Sequence, residues 1–295
     1  MKVEFPDLKG KEQETLYIIG NGFDLHHAVL SRYKHFCCWL CLNGYEDFVD
    51  KLQNAFPLLE RQMNNYLWSN FEDALGKYDL DALYTRELKQ LTYPFTEDEW
   101  RKIPQNVSKI CSKIRPLMKE WAKHINISQI TPILDLNKES RYLTFNYTRV
   151  LEEVYQIPPK QVCHIHGSVD DKTELIVGHG LVLSTNDIDA KSDEEEAAKK
   201  EVVELMNSLG KKVQQQIEQH HEFFISLKNV SHVVVLGHSL AKIDLPYIGE
   251  ILKTIQENSH WHFSKYSEKD DEGIQNLVSH PLAKEKIRTY WTFNF

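Results

Sequence analysis

The chain has 295 residues, of which 41% are hydrophobic, 26% charged and 11% aromatic, with a formal net charge of −8. That composition is ordinary for a globular protein and excludes disorder, collagen-like repeats and coiled coil. The acidic balance argues against nucleic acid as a partner.

No apolar run approaches the roughly 20 residues of a membrane helix, so no membrane association is expected. Residues 1–8 show no apolar stretch leading to a small-residue cleavage site, so no signal peptide is read there and the cytoplasm is the expected compartment. Cys37, Cys38 and Cys41 crowd one segment of a chain with an odd cysteine count. They read as reduced thiols on one helix face rather than as a disulfide framework or a zinc site.

In chain order, the first strand is expected at 16–19, ending at Gly20-Asn21-Gly22. Mainly helical pattern follows, over 33–56, 61–84 and 105–125, with Pro94, Pro104 and Pro132 as punctuation. Further strands are expected at 142–145, 162–166, 175–177 and 232–236, ending at Asn146, Gly167, Gly178 and Gly237. Late candidates are 261–263 and 287–291. A charged segment carrying Asp193 to Glu196 and Lys199 to Glu201 reads as one or two solvated helices. The strand runs are continuously apolar rather than alternating, as strands covered on both faces of a parallel sheet are. The expected architecture is therefore α/β: a Rossmann-like, doubly wound parallel sheet in a single domain over 1–295. It should carry a helical insertion at about 31–137, forming a lobe beside the ligand edge, and a second, charged one at about 186–228. Ile18, Leu143, Ile165 and Val234 are its expected buried strand residues.

The strand ends hold the residues that can carry chemistry. Gly20 and Gly22 allow a sharp turn and close approach of a phosphate, with amides of the following helix start facing the anion. On that reading Gly22→Val would block a phosphate without unfolding the chain. Asp24, just past the turn, can meet a ribose hydroxyl or cap the next helix. Asn146 sits where a ligand is expected in such folds; it can orient a water or sugar hydroxyl, or cap a helix, a role open equally to Thr148. His164 and His166 are two apart, which places both on one face with Ile165 opposite. His166, nearer the ligand edge, is a candidate general base, and His164 reads as a core residue. The pair could alternatively chelate a metal. Gly237-His238-Ser239-Leu240-Ala241 is close to a nucleophile elbow, with Asp271 and His280 available downstream for a triad. The commoner reading is a second phosphate- or ribose-contacting turn, with Ser239 as a donor.

Taken together, Gly20 to Asp24, Thr144-Phe145-Asn146-Tyr147-Thr148, His164 to Gly167 and Gly237 to Leu240 resemble the bacteriophage abortive-infection AbiH family, over about residues 15–250. In the same order they look like a remote sirtuin-type NAD-binding core. That second resemblance implies a phosphate turn at Gly20 and Gly22, a ribose-contacting Asn146, a catalytic His166 and an adenosine-side Ser239. The sirtuin zinc cysteines are missing, and Thr148 stands where that pattern has an aspartate. Peptide deacylation is therefore not implied.

The resemblances imply an anti-phage effector that hydrolyses NAD, as substrate rather than cofactor, to nicotinamide and ADP-ribose. Asn146 and His166 would be the catalytic pair. Gly20, Asn21, Gly22, Asp24, Tyr147, Gly237 and Ser239 would contact the nucleotide, with no metal. Homo-oligomerisation or a regulatory protein partner is expected to restrain so toxic an activity. The alternatives are an NAD or ADP-ribose sensor without catalysis, and a metal-dependent hydrolase or nuclease using His164, His166 and a carboxylate such as Asp24.

Overall fold

The computed structural model describes residues 5–55, 68, 71–76, 80–89, 95–172, 174–186 and 188–294. Six strands form one all-parallel sheet in the order β3-β2-β1-β4-β5-β6. They are β1 (Thr15–Ile19), β2 (Arg141–Thr144), β3 (Val162–His164), β4 (His232–Leu236), β5 (Ser259–Lys265) and β6 (Ile287–Asn294). This is the doubly wound parallel α/β architecture anticipated from the continuous apolar runs.

The sheet forms because its central strands are apolar on both faces. Every residue of β1 is buried, and it pairs with β2 on one side and β4 on the other. Alternation then sends Leu16, Ile18, Leu143, Val233 and Val235 into one core, with Tyr247, Ile248 and Ile251 of the helix Leu245–Thr254. Tyr17, Ile19, Tyr142, Val234 and Leu236 enter a second core with Val150 and Leu151. Ile18, Leu143 and Val234 are fully buried strand residues, as expected; Ile165 is fully buried too, but it lies in the turn after β3, which ends at His164 and not at 166. Tyr17 and Tyr142, register partners on neighbouring strands, stack with centroids 4.9 Å apart.

Three local expectations are corrected. The apolar run 175–177 is not a strand: Leu175 and Val177 are fully buried, but in a loop outside the sheet, where the Val177 carbonyl accepts from Arg115 Nε. Apolarity records burial and does not specify ladder pairing. The helix expected over 33–56 divides into Tyr33–Leu42 and Glu46–Ala55 around Gly44, whose φ of +79° ends the first. Pro104 lies inside the helix Glu97–Lys123, as does Pro116, instead of ending it. Burial of Trp100, Ile103, Val107, Ile110, Ile114, Leu117 and Trp121 along one stripe outweighs a penalty of about 3 kcal/mol per proline. Half of the helix expected over 61–84 lies outside the described residues, as does Pro94. Within it Phe71–Leu75 is helical, as is the start of Leu80–Leu88.

The charged stretch forms the helix Asp193–Ser208, followed by Val213–Gln219 and His221–Ile225. Ser192 accepts from Glu195 N at its start, and four acidic residues in the first turn complement the helix dipole.

The chain divides into two compact units. Met1–Ser31, Ala122–Thr173 and Lys212–Phe295 make the sheet-bearing unit; Arg32–Trp121 and Glu174–Lys211 make the other. The latter has its own aromatic core, in which Phe36 lies 5.4 Å from Trp121 and Trp68 stacks on Phe71 at 5.2 Å.

Candidate functional site

In this strand order β1 and β4 are neighbours whose chain connections leave in opposite directions, and ligands of such folds bind beyond the carboxyl ends of those strands. Gly20 to Asp24, Asn146, the turn after β3 and Gly237 to Leu240 all fall at this edge.

The glycines here serve a contact between turns. Gly20 N donates to Leu236 O at 2.9 Å, and Gly22 N donates to Gly237 O at 2.8 Å. A Cβ on Gly20 would stand 2.5 Å from His238 Cα, and one on Gly22 2.7 Å from Gly237 Cα. Gly237 has φ +62°, and its own Cβ would meet Phe23 N at 2.2 Å. The amides of Gly20 and Gly22 are thus already used. Gly22→Val would clash with backbone, which corrects the expectation that it leaves folding untouched. Asn21 exchanges side-chain hydrogen bonds with Ser31, donating to its carbonyl and accepting from its hydroxyl at 2.6 Å.

Asp24 is 1% exposed and lies within the helix Asn21–His26, whose N-cap is Gly20, so it caps nothing. It accepts from Thr148 Oγ1 at 2.6 Å and from Asn146 Nδ2 at 2.9 Å. Burial pushes its carboxyl up to about 6, and the two hydrogen bonds hold it back from rising further. Asn146 Nδ2 also donates to Gly20 O at 3.1 Å, which ties the end of β2 to the end of β1. Among the described residues the buried Asn146 Oδ1 has no hydrogen-bond partner. Tyr147 is half-buried, and its carbonyl accepts from Val169 N.

The two histidines do not share a face. β3 ends at His164, so the two-residue period stops there, and Gly167 turns the chain at φ +81°. His164 Nδ1 is 3.0 Å from Asn146 O and its Nε2 is 2.8 Å from Glu152 Oε1. His166 instead packs against Phe145 and Tyr247, with ring centroids 5.0 and 5.7 Å away, and Nε2 lies 3.8 Å from Asp244 Oδ1. His164 is half-buried and more exposed than His166, which differs from the expectation of a core residue at that position. Beside β3 a cleft of about 650 Å³ opens among Arg149, Glu152, His164, Ser168 and His220.

Ser239 is exposed, while Leu240 adopts φ +52° and the next helix begins only at Leu245. That is not the strand–turn–helix of a nucleophile elbow. Asp271 is engaged by Lys265 at 2.6 Å, and no hydrogen bond links Ser239 to His280 among the described residues. Cys37, Cys38 and Cys41 are free thiols, and burial raises Cys37 to about 12. Among the described residues no three His, Cys, Asp or Glu side chains are grouped as metal ligands.

Sequence reasoning missed three contributors. Glu152 orients His164, while His238 and Asp244 face each other with Nε2 and Oδ2 3.6 Å apart. His238 lay inside the quoted Gly237-His238-Ser239 motif. Asp244, just before Leu245-Pro246, carries only the signal of a helix cap. It occupies the cap position, but its side chain makes no cap hydrogen bond and faces the imidazoles instead.

Fold and site together define a doubly wound α/β protein with a polar, histidine-bearing edge at its topological switch point. A family model described as bacteriophage abortive infection AbiH matches residues 16–266, and the chain belongs to that family. Membership ties it to defence against phage by abortive infection. No curated protein and no solved structure matches the chain. Among the described residues no helix is long and apolar enough to cross a membrane.

Proposed function

We propose that this AbiH protein acts by hydrolysing NAD to nicotinamide and ADP-ribose at Asn146 and His166. The observation that carries the reading is Asn146 Oδ1. It is a buried acceptor at the carboxyl end of β2 with no hydrogen-bond partner among the described residues, while its amide nitrogen is pinned by Gly20 O and Asp24. Leaving such a group unsatisfied costs about 1–3 kcal/mol, and a ligand hydroxyl or carboxamide donor would relieve that cost. The resemblance of these strand ends to a sirtuin-type NAD core supports the same choice of ligand.

Cleavage breaks the bond between ribose C1′ and the pyridinium nitrogen, and the electron pair leaves with neutral nicotinamide. Water adds to C1′ and gives its proton to His166, which passes it to solvent. The leaving group is good, so the site chiefly orients the sugar and stabilises an oxocarbenium-like ribose. The nucleotide lies across Gly20 to Asp24 and Gly237 to Ser239, with Tyr147 at its side. Assembly into a homo-oligomer or a regulatory protein partner restrains the activity in the cytoplasm.

The test incubates purified protein with NAD, with and without chelator, and measures free nicotinamide. Wild type releases it in both conditions, while His166→Ala and Asn146→Ala do not, and in cells both variants lose toxicity and phage protection. Full turnover by His166→Ala overturns the reading. Tight NAD binding without wild-type turnover identifies a sensor, and loss of turnover in chelator identifies a metal-dependent hydrolase.

A further inference from the structure

The Asp244 carboxylate lies between two imidazoles. Its Oδ1 is 3.8 Å from His166 Nε2 and its Oδ2 is 3.6 Å from His238 Nε2, with side-chain exposures of 11%, 4% and 4%. His238 has its tautomer dictated from outside the pair. Its Nδ1 lies 2.9 Å from Leu240 N, and a backbone N–H can only donate, so Nδ1 must be the accepting, unprotonated nitrogen. The proton of His238 is therefore on Nε2, the atom that faces Asp244. Phe145 keeps both rings in place, 5.0 Å from His166 and 4.2 Å from His238 by centroids, and Tyr247 walls the far side of His166.

From this geometry we infer that Asp244 is a positioning residue that holds His166 as its Nε2–H tautomer, so that Nδ1 is the basic atom of the candidate site. An ionised carboxylate only accepts hydrogen bonds, and a buried one needs donors on both oxygens. His238 presents its Nε2–H to Oδ2 at 3.6 Å, and His166 presents Nε2 to Oδ1 at 3.8 Å. With Nε2 protonated, the lone pair of a neutral His166 resides on Nδ1. The separations exceed hydrogen-bond length; in unliganded sites such pairs tighten when substrate closes the site. The inference rests on the reading of His166 as the base, but its structural half stands apart from NAD chemistry.

Long-range ¹H–¹⁵N correlation spectra of the full chain at neutral pH give the tautomer of each ring directly. In wild type His166 and His238 both show the Nε2–H form, and in Asp244→Asn His166 shifts to a mixture while His238, held by Leu240, stays as it was. An Nδ1–H form of His166 in wild type overturns the inference even if no variant folds, and so does an unchanged His166 tautomer in folded Asp244→Asn. Nicotinamide release adds the second readout. Asp244→Asn lowers kcat at least about tenfold with KM nearly unchanged, and Asp244→Glu restores part of it. No nicotinamide release from wild type sinks the glycohydrolase reading alone, because the tautomer measurement remains decisive for Asp244.

Discussion

Gly22 and Gly237 meet backbone to backbone at the switch point, with Gly22 N donating to Gly237 O at 2.8 Å and no room for a Cβ on either residue. Contact with main chain cannot be relieved by a rotamer change, so Gly22→Val should cost about 3 kcal/mol, the upper end of ordinary overpacking. Chemical denaturation of Gly22→Ala and Gly22→Val beside wild type checks this. Wild-type stability in both variants would show that the turns do not pack as described.

Asp24 gives a pH signature. Its folded-state value of about 6 lies above the ordinary 3.8, so the folded form binds its proton more tightly. The associated stability is full below pH 4 and is lost as pH rises through about 6. Burial lowers His27, His220, His232 and His262, which act in the opposite direction. The useful quantity is therefore the stability difference between wild type and Asp24→Asn. Relative to the variant, wild type should lose on the order of 1–3 kcal/mol between pH 4 and pH 7. A flat difference would place the carboxyl at its ordinary value.

His164 and Glu152 form a part-buried pair at 2.8 Å, with side chains 11% and 8% exposed. His164 Nδ1 also faces a carbonyl, so both ring nitrogens sit against acceptors. Removing the imidazole leaves Glu152 facing Arg149 Nε, 3.8 Å away, and His164→Ala should cost about 1–3 kcal/mol. The double variant with Glu152→Ala should be less destabilised than the sum of the two single changes. Additive losses in a denaturation cycle would show that the two side chains do not interact.

His262 stacks on Trp291 at 4.8 Å and is lowered to about 4, mainly by burial and then by His232 and His260. Because the unfolded chain binds this proton more readily, wild type should lose stability as pH falls from about 6.5 towards 4. His262→Phe keeps the stack and removes the titration, so it should flatten that part of the melting-temperature profile. An unchanged slope would assign the acid sensitivity to other groups.

The runs containing Leu16 to Ile19, Tyr142 to Thr144 and His232 to Leu236 were legible because a strand covered on both faces must be apolar throughout. Gly20, Gly22 and Gly237 were legible as turn residues, and Asn146 and His166 as strand-end polar groups. These features depend on each residue's own chemistry and near neighbours, which the linear chain contains. The strand order, the burial of Asp24 behind Asn146 and Thr148, and the divergence of His164 from His166 were decided by the fold. So was the use of Gly22 for contact with Gly237 rather than for open space. Asp244 shows the reason most clearly: by its neighbours it is a helix cap, and only parallel pairing of strands distant in sequence sets its carboxylate between His166 and His238. Local pattern specifies burial and turns, whereas the partner of a buried charge is set by non-local packing.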